Sequence, residues 1–279
     1  MTMNKLLHIV LLMLVGVECG FAQSDTARCI SPSKTTTSIF SLDAGMGSQR
    51  DTYISPITYD GMHLRLAYHN MCQNEKSSIT RVLEGGIDYQ LTENPAGNHI
   101  MHTLLADFRW AAMHRWRNVP LSRLDVMVGP LAHFRGGLLY NPNNSNNVVS
   151  ARIHAAVGVN AMASYLTSLK NRRLKLCYEV SLPMVGAMFS PEYDEAYYEI
   201  YVGNHSGLAH FAWWGNRFDI TNYVFADYSI GANTVLRVGY RNRIESSNVC
   251  HIHTRAISHA LVLGIGCNLL TKYFIIHNA

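Results

Sequence analysis

The apolar and polar positions of this chain alternate with a period of two over most of its length. Between Ser78 and Thr92, Ile79, Leu83, Ile87, Tyr89 and Leu91 fall on one parity, interrupted by Arg81 and Gly85. Thr80, Glu84, Gly86, Asp88, Gln90 and Thr92 fall on the other, with Val82 the apolar exception. Such alternation is the mark of a β-strand with two unlike faces. The pattern recurs: Met62, Leu64, Leu66 and Tyr68 oppose His63, Arg65 and His69, and Leu104, Ala106, Phe108 and Trp110 oppose Thr103, Asp107 and Arg109. Further strands are predicted around Leu124–Leu138, Ala151–Tyr165, Leu174–Leu182 and Leu236–Glu245. In each, the polar face carries full charges. A soluble sandwich or barrel turns its apolar face inward, where unpaired charges are disfavoured. A transmembrane barrel reverses the arrangement, with lipid outside and a polar lumen. The pattern therefore predicts an all-β, up-and-down antiparallel transmembrane barrel.

Turn residues set the expected topology. Short connectors are predicted at Gln73–Ser77, Asn118–Leu121, Ser168–Asn171, Gly203–Gly207 and Ile230–Asn233. Longer polar ones are predicted at Ser48–Tyr59, Glu93–Asn98, Tyr140–Asn147, Phe189–Glu195 and Glu245–Thr254. If Leu208–Trp214 spans as a strand of its own, the count is about twelve, an even number that leaves no edge; otherwise it is ten. Trp110, Trp116, Tyr140, Tyr165, Trp213, Trp214, Tyr240 and Tyr273 are candidates for aromatic girdles. The last strand, about Ala256 to Leu269, is expected to be followed by a short extension.

The N-terminus adds an address. Lys5, the apolar stretch Leu6–Val17 and Phe21-Ala22-Gln23 read as a secretory signal over residues 1–22, leaving 23–279 as a single barrel domain. Outer-membrane placement in a Gram-negative cell follows, with both chain ends in the periplasm. Insertion would engage the barrel-assembly machinery, and the surroundings would be outer-membrane lipid and lipopolysaccharide. The net charge of +4 is too small to suggest nucleic acid. Cys29, Cys72, Cys177, Cys250 and Cys267 are widely and irregularly spaced, without a metal-site pattern, so mostly free or lipid-facing thiols and no cofactor are expected.

The candidate chemistry lies on the inward parity. Arg109, Arg115, Arg123, Arg135, Arg152, Arg237, Arg241 and Arg243 are expected to share a lumen with Glu84, Asp88, Asp107, Asp125, Glu179, Asp219 and Asp227. They could form a track for small anionic solutes. They could instead form a mutually neutralising plug, which the near balance of charge favours. Uncharged lumen-side positions such as Gly86 and Asn160 are expected to accept arginine better than lipid-facing ones. His205 and Ser206 form a candidate hydrolase pair, but adjacent residues in extended backbone point to opposite faces, against nucleophile activation. His251 and His253 have same-face spacing for a metal. The leading expectation is a non-catalytic narrow pore or structural barrel. A lipid-modifying hydrolase is the alternative, and a surface docking protein the third possibility.

The later half also resembles a known family. The residues are Ser190-Pro191-Glu192-Tyr193, Tyr197 to Asn204, Arg217-Phe218-Asp219 to Tyr223, Leu236 to Asn248, and Ser258-His259-Ala260. They are similar to a barrel-like outer-membrane family of Gram-negative anaerobes, the domain of unknown function numbered 3316. The resemblance implies a barrel and brings no activity, cofactor or catalytic residue.

Overall fold

In the computed structural model, the described residues are 34–74, 77–144, 147–193, 197–203 and 207–271. The signal stretch, His205, Ser206, Tyr273 and the expected C-terminal extension lie outside them. Eleven strands form one antiparallel sheet: β1 Lys34–Asp51, β2 Ser55–Asn74, β3 Ile79–Glu93, β4 Ile100–Trp116, β5 Leu124–Tyr140, β6 Val149–Leu169, β7 Arg172–Phe189, β8 Ala209–Trp213, β9 Arg217–Ser229, β10 Thr234–Val249 and β11 Ile252–Thr271. A six-residue helix, α1 (Tyr197–Val202), sits in the connection between β7 and β8. Each strand pairs with its sequence neighbours except that β9 pairs with β7 and not β8, and β1 pairs with β11 from Lys34↔Thr271 to Asp51↔Thr254. That ladder closes the barrel.

Ten strands make the wall, the lower of the two expected counts, and β8 is the extra one. It pairs with β7 from Val185↔Trp213 to Phe189↔Ala209, on the same β7 edge that pairs with β9 from Leu174↔Tyr228 to Ser181↔Thr221. Leu208–Trp214 is thus a short strand in line with β9, not a separate crossing of the barrel. The change of partner falls at Pro183, which lies at a bulge opposite Gly158, where a residue without an N–H is tolerated. The indole N–H of Trp214 donates to the Pro183 carbonyl at 3.3 Å. The Asn216 amide accepts from the Trp213 N–H (2.8 Å) and donates to the Phe211 carbonyl (2.7 Å), satisfying groups on β8 that β7 leaves over.

Two connectors expected to be long are tight. Thr52–Ile54 joins β1 to β2, and Cys250 and His251, both at positive φ (52° and 61°), join β10 to β11. The strands run on because backbone pairing continues above the lipid without apolar side chains. There the outward positions become polar: Ser48, Arg50, Thr58, Asp60, His253 and Arg255. Strands of 13 to 21 residues in the wall exceed the roughly 10 that a tilted strand needs to cross a bilayer. Conversely, the connection from β7 to β8 is a single long one that carries α1.

The outside of the wall is an apolar belt. Phe40, Leu66, Ile87, Leu104, Phe108, Val157, Val224, Leu261 and Leu263 are all exposed. Of the girdle candidates, Trp116 and Tyr165 stand near the end where β1 begins, and Tyr140, Trp213 and Trp214 near the opposite, looped end. Trp110 and Tyr240 lie within the belt, several residues from their strand ends. Cys177 is buried inside rather than facing lipid. Among the described residues, no helix is long and apolar enough to cross a membrane.

Arginine replacing Ile87 or Val157, which are 56% and 61% exposed, is expected to lose about 2–4 kcal/mol of folding stability in bilayers. Arginine replacing Ala232, in the exposed β9–β10 turn, is expected to be neutral. Refolding into vesicles followed by urea titration checks both. Equal tolerance at the two sets would contradict a lipid-facing wall.

Candidate functional site

The interior is filled at three successive levels. Towards the end where β1 begins, Met71, Val82, Ala111, Met113, Met127, Leu131 and Met162 form an apolar floor. Towards the looped end, Tyr53, Ile54, Tyr59, Met101, Leu139 and Ile252 form a second apolar cluster, with Tyr197 of α1 packed against it. Tyr197 meets Tyr53 edge-on at 5.6 Å, and its hydroxyl accepts from the Ala151 N–H at 2.5 Å. Burial raises the pKa of this phenol, which stays neutral. These contacts hold the start of α1 against the β1–β2 turn and β6.

Between the two apolar layers lies the charge. Arg65, 1% exposed, is the hub. Its guanidinium donates to Asp88 (2.8 Å), Glu84 (3.0 Å) and Asp107 (3.1 Å), and Asp43 stands 3.9 Å away. Arg241 reaches Asp43 at 2.9 Å and also binds Glu84. Arg109 bridges Glu84 (2.9 Å) and Glu179 (3.4 Å) and donates to Ser181. Arg135 joins Asp88 (3.0 Å), Asp107 (3.3 Å) and Glu245 (3.1 Å). Arg243 adds Asp88 (3.3 Å) and Asp107 (3.6 Å), and the His63 ring meets Asp88 at 2.9 Å. Asn160 donates to Glu179 at 3.0 Å and accepts from Ser181 at 2.5 Å. Sharing each carboxylate among several guanidiniums offsets the desolvation that isolated buried charges would suffer.

Backbone geometry makes room for the hub. A Cβ on Gly86 would lie 2.4 Å from the Arg65 guanidinium carbon, so only glycine admits that side chain. Arginine at Gly86 or Asn160 is therefore not well accepted, contrary to the expectation for uncharged lumen-side positions. One would displace Arg65; the other would replace a fully buried amide that ties Glu179 to Ser181.

Other predicted residues stand apart from this cluster. Arg237 and Asp227 form a separate bidentate pair at 2.6 and 2.8 Å, with the guanidinium 3.8 Å over the Phe225 ring. Asp219 lies near the looped end, accepting from Arg217 at 2.9 Å with His154 at 3.4 Å. Arg152 is 3.5 Å from Asp51. Arg152 and Asp51 line a solvent-open cleft together with Arg135, His154, Phe189, Arg217 and Glu245. At the opposite end, Arg115 is half-buried and donates to the Asn74 carbonyl at 3.3 Å. Arg123 is exposed in the β4–β5 turn at φ 71°, and half-buried Asp125 accepts from the Asn118 N–H at 3.2 Å. Arg123 corrects the lumen assignment, because it lies in the turn, outside the strand alternation.

The predicted set omitted Arg65, Asp43, Asp51, Arg217 and Glu245. Arg65 and Glu245 stood on charged faces of traced strands, so parity alone could have found them. The floor was also legible in principle, because Val82, Met113, Met127 and Met162 share the inward parity of their charged neighbours. His251 sits in the β10–β11 turn and His253 is exposed on β11. Among the described residues, no group of three or more His, Cys, Asp or Glu is arranged to hold a metal.

Comparison with known proteins gives a family and general barrel likenesses. The outer membrane protease OmpT from Escherichia coli is 9% identical, over 88% of this chain and 100% of that one, with a TM-score of 0.46. The transport unit of the autotransporter AIDA-I from Escherichia coli is 7% identical, over 91% and 94%, with a TM-score of 0.42. Neisserial surface protein A is 10% identical, over 84% and 97%, with a TM-score of 0.32. No curated protein sequence matches the chain. A family described as "Protein of unknown function (DUF3316)" matches residues 6–273, nearly the whole length, and the chain belongs to that family.

Proposed function

We propose that this protein is a sealed structural barrel of a Gram-negative outer membrane, with both chain ends in the periplasm and no open path through its lumen. The observation that carries the reading is the layered interior. Arg65, Glu84, Asp88, Asp43 and Glu179 are each 1% exposed or less, between an apolar floor and an apolar cap. An ion-conducting constriction needs charged groups that meet water and passing ions. Here the guanidinium donors are directed at carboxylates, so they hold opposite walls together instead. Each ion pair between distant strands resists flattening of the barrel, and the apolar belt supplies the lipid-facing surface.

Conductance separates this reading from an anion channel. The purified, refolded protein in planar bilayers is expected to show negligible current. A stable, anion-selective current from the wild type would overturn the proposal. Arg65→Met would leave Glu84, Asp88 and Asp107 short of a partner. It is expected to lower stability by about 3–5 kcal/mol or to open a leak.

The isolated pair gives a cleaner measure of the interior. Arg237→Met is expected to destabilise by about 3–5 kcal/mol, and Arg237→Met combined with Asp227→Leu should recover most of the loss, because it removes both buried charges together. Urea unfolding in vesicles checks the cycle. A double variant as unstable as the sum of the singles would mean that the two charges act independently.

A further inference from the structure

The exposed charges of the described residues divide by end. At the end where β1 begins and β11 stops, Arg81, Arg117, Arg123, Lys170, Arg172 and Arg173 are exposed. No exposed carboxylate accompanies them among the described residues there: Asp125 is half-buried, and Asp227 is buried against Arg237. The looped end has the opposite balance, with Asp60, Glu93, Glu192 and Glu199 exposed against Arg255 alone.

The cations occupy the level of a membrane surface. Arg81 and Arg172 share the outward parity of Leu83 and Leu176, so they continue the lipid-facing wall rather than sit beneath it. The Arg172 guanidinium donates to the Ile230 carbonyl of the next turn, and Arg117 donates to the Asn74 carbonyl at 3.4 Å, tying both to the rim. Exposed apolar side chains are interleaved with them: Trp116, Leu121, Leu166 and Leu169, at 46–63%. Cations on an apolar rim suit the boundary between acyl chains and phosphates; a docking face for a soluble acidic protein would not need the leucines.

We propose that this basic rim binds the phosphate headgroups of anionic phospholipid in the leaflet on its side, and that the acidic looped end has no such attachment. The proposal rests on the membrane reading above and adds the class of lipid and the end that binds it. Guanidinium and ammonium groups at an anionic surface attract through charge and hydrogen bonds to phosphate oxygens, and salt screens the attraction because the groups are exposed.

The test uses the full chain in vesicles of phosphatidylcholine alone and of phosphatidylcholine with increasing phosphatidylglycerol. Insertion into both is read first, by the gel shift between heated and unheated protein, and then the thermal unfolding midpoint. Phosphatidylglycerol is expected to raise the midpoint, and high salt to abolish the rise. The rise should be lost in Arg81→Gln/Arg172→Gln, which removes the two cations on the lipid-facing parity. Arg255→Gln should leave it unchanged. Where the double variant does not fold, Lys170→Gln and the salt titration of the wild type carry the test. An inserted barrel indifferent to phosphatidylglycerol, or a folded variant with the wild-type response, would overturn the proposal while leaving the membrane reading intact. The same rise produced by soluble polyglutamate over phosphatidylcholine would overturn it in favour of an acidic soluble partner. A chain that inserts into neither vesicle would overturn both readings.

Discussion

Arg65 is a permanent cation held among four carboxylates inside a ring of β-strands, and the architecture is arranged around that constraint. A guanidinium does not lose its proton under physiological conditions, so burying it requires fixed counter-charges. Asp43, Glu84, Asp88 and Asp107 supply them from β1, β3 and β4, while Arg109, Arg135, Arg241 and Arg243 share the same carboxylates from β4, β5 and β10. The ring of contacts ties together strands far apart along the chain. It also determines smaller choices, such as glycine at 86, where a Cβ would collide with the hub.

The apolar layers above and below give the charges their setting. Methionines dominate the floor, and their unbranched side chains fill irregular space between the walls. Aromatic and aliphatic residues form the cap, drawing in Tyr197 and with it the longest connection of the described residues. Burial of Arg65, Glu84 and Asp88 strengthens their ion pairs and makes an unpaired group there more costly. Two sets of apolar side chains therefore coexist on one chain: one faces outward, the other packs inside on either side of the charges.

The change of partner along β7 has a local cause. Pro183 lacks an N–H and lies at the bulge opposite Gly158, where the β7 edge passes from β9 to β8. Trp214 and Asn216 satisfy the backbone groups left around that junction, so the wall is continued by side chains where the ladder breaks. Pairing resumes on either side, and β8 extends the wall towards the looped end.

Much of the fold was legible because a strand has a period of two. Once Glu84 and Asp88 share a parity opposite Ile87, no soluble core accommodates them, and the inverted barrel follows from that parity repeated along the chain. The same rule placed Arg109, Arg135, Arg241 and Glu179 inside. Parity says nothing about height, however. It could not separate Arg237 and Asp227, an isolated pair near one end, from the central cluster, nor show that Arg123 falls in a turn where the alternation no longer holds. Nor could it show that Leu208–Trp214 continues β9 instead of crossing again, because that depends on which edge of β7 remains open at Pro183. The sequence by itself determined which face each strand residue takes, since that is a property of local backbone geometry. Only the tertiary structure decided which charges meet, because strand register and barrel closure bring together residues as distant as Glu84 and Arg241.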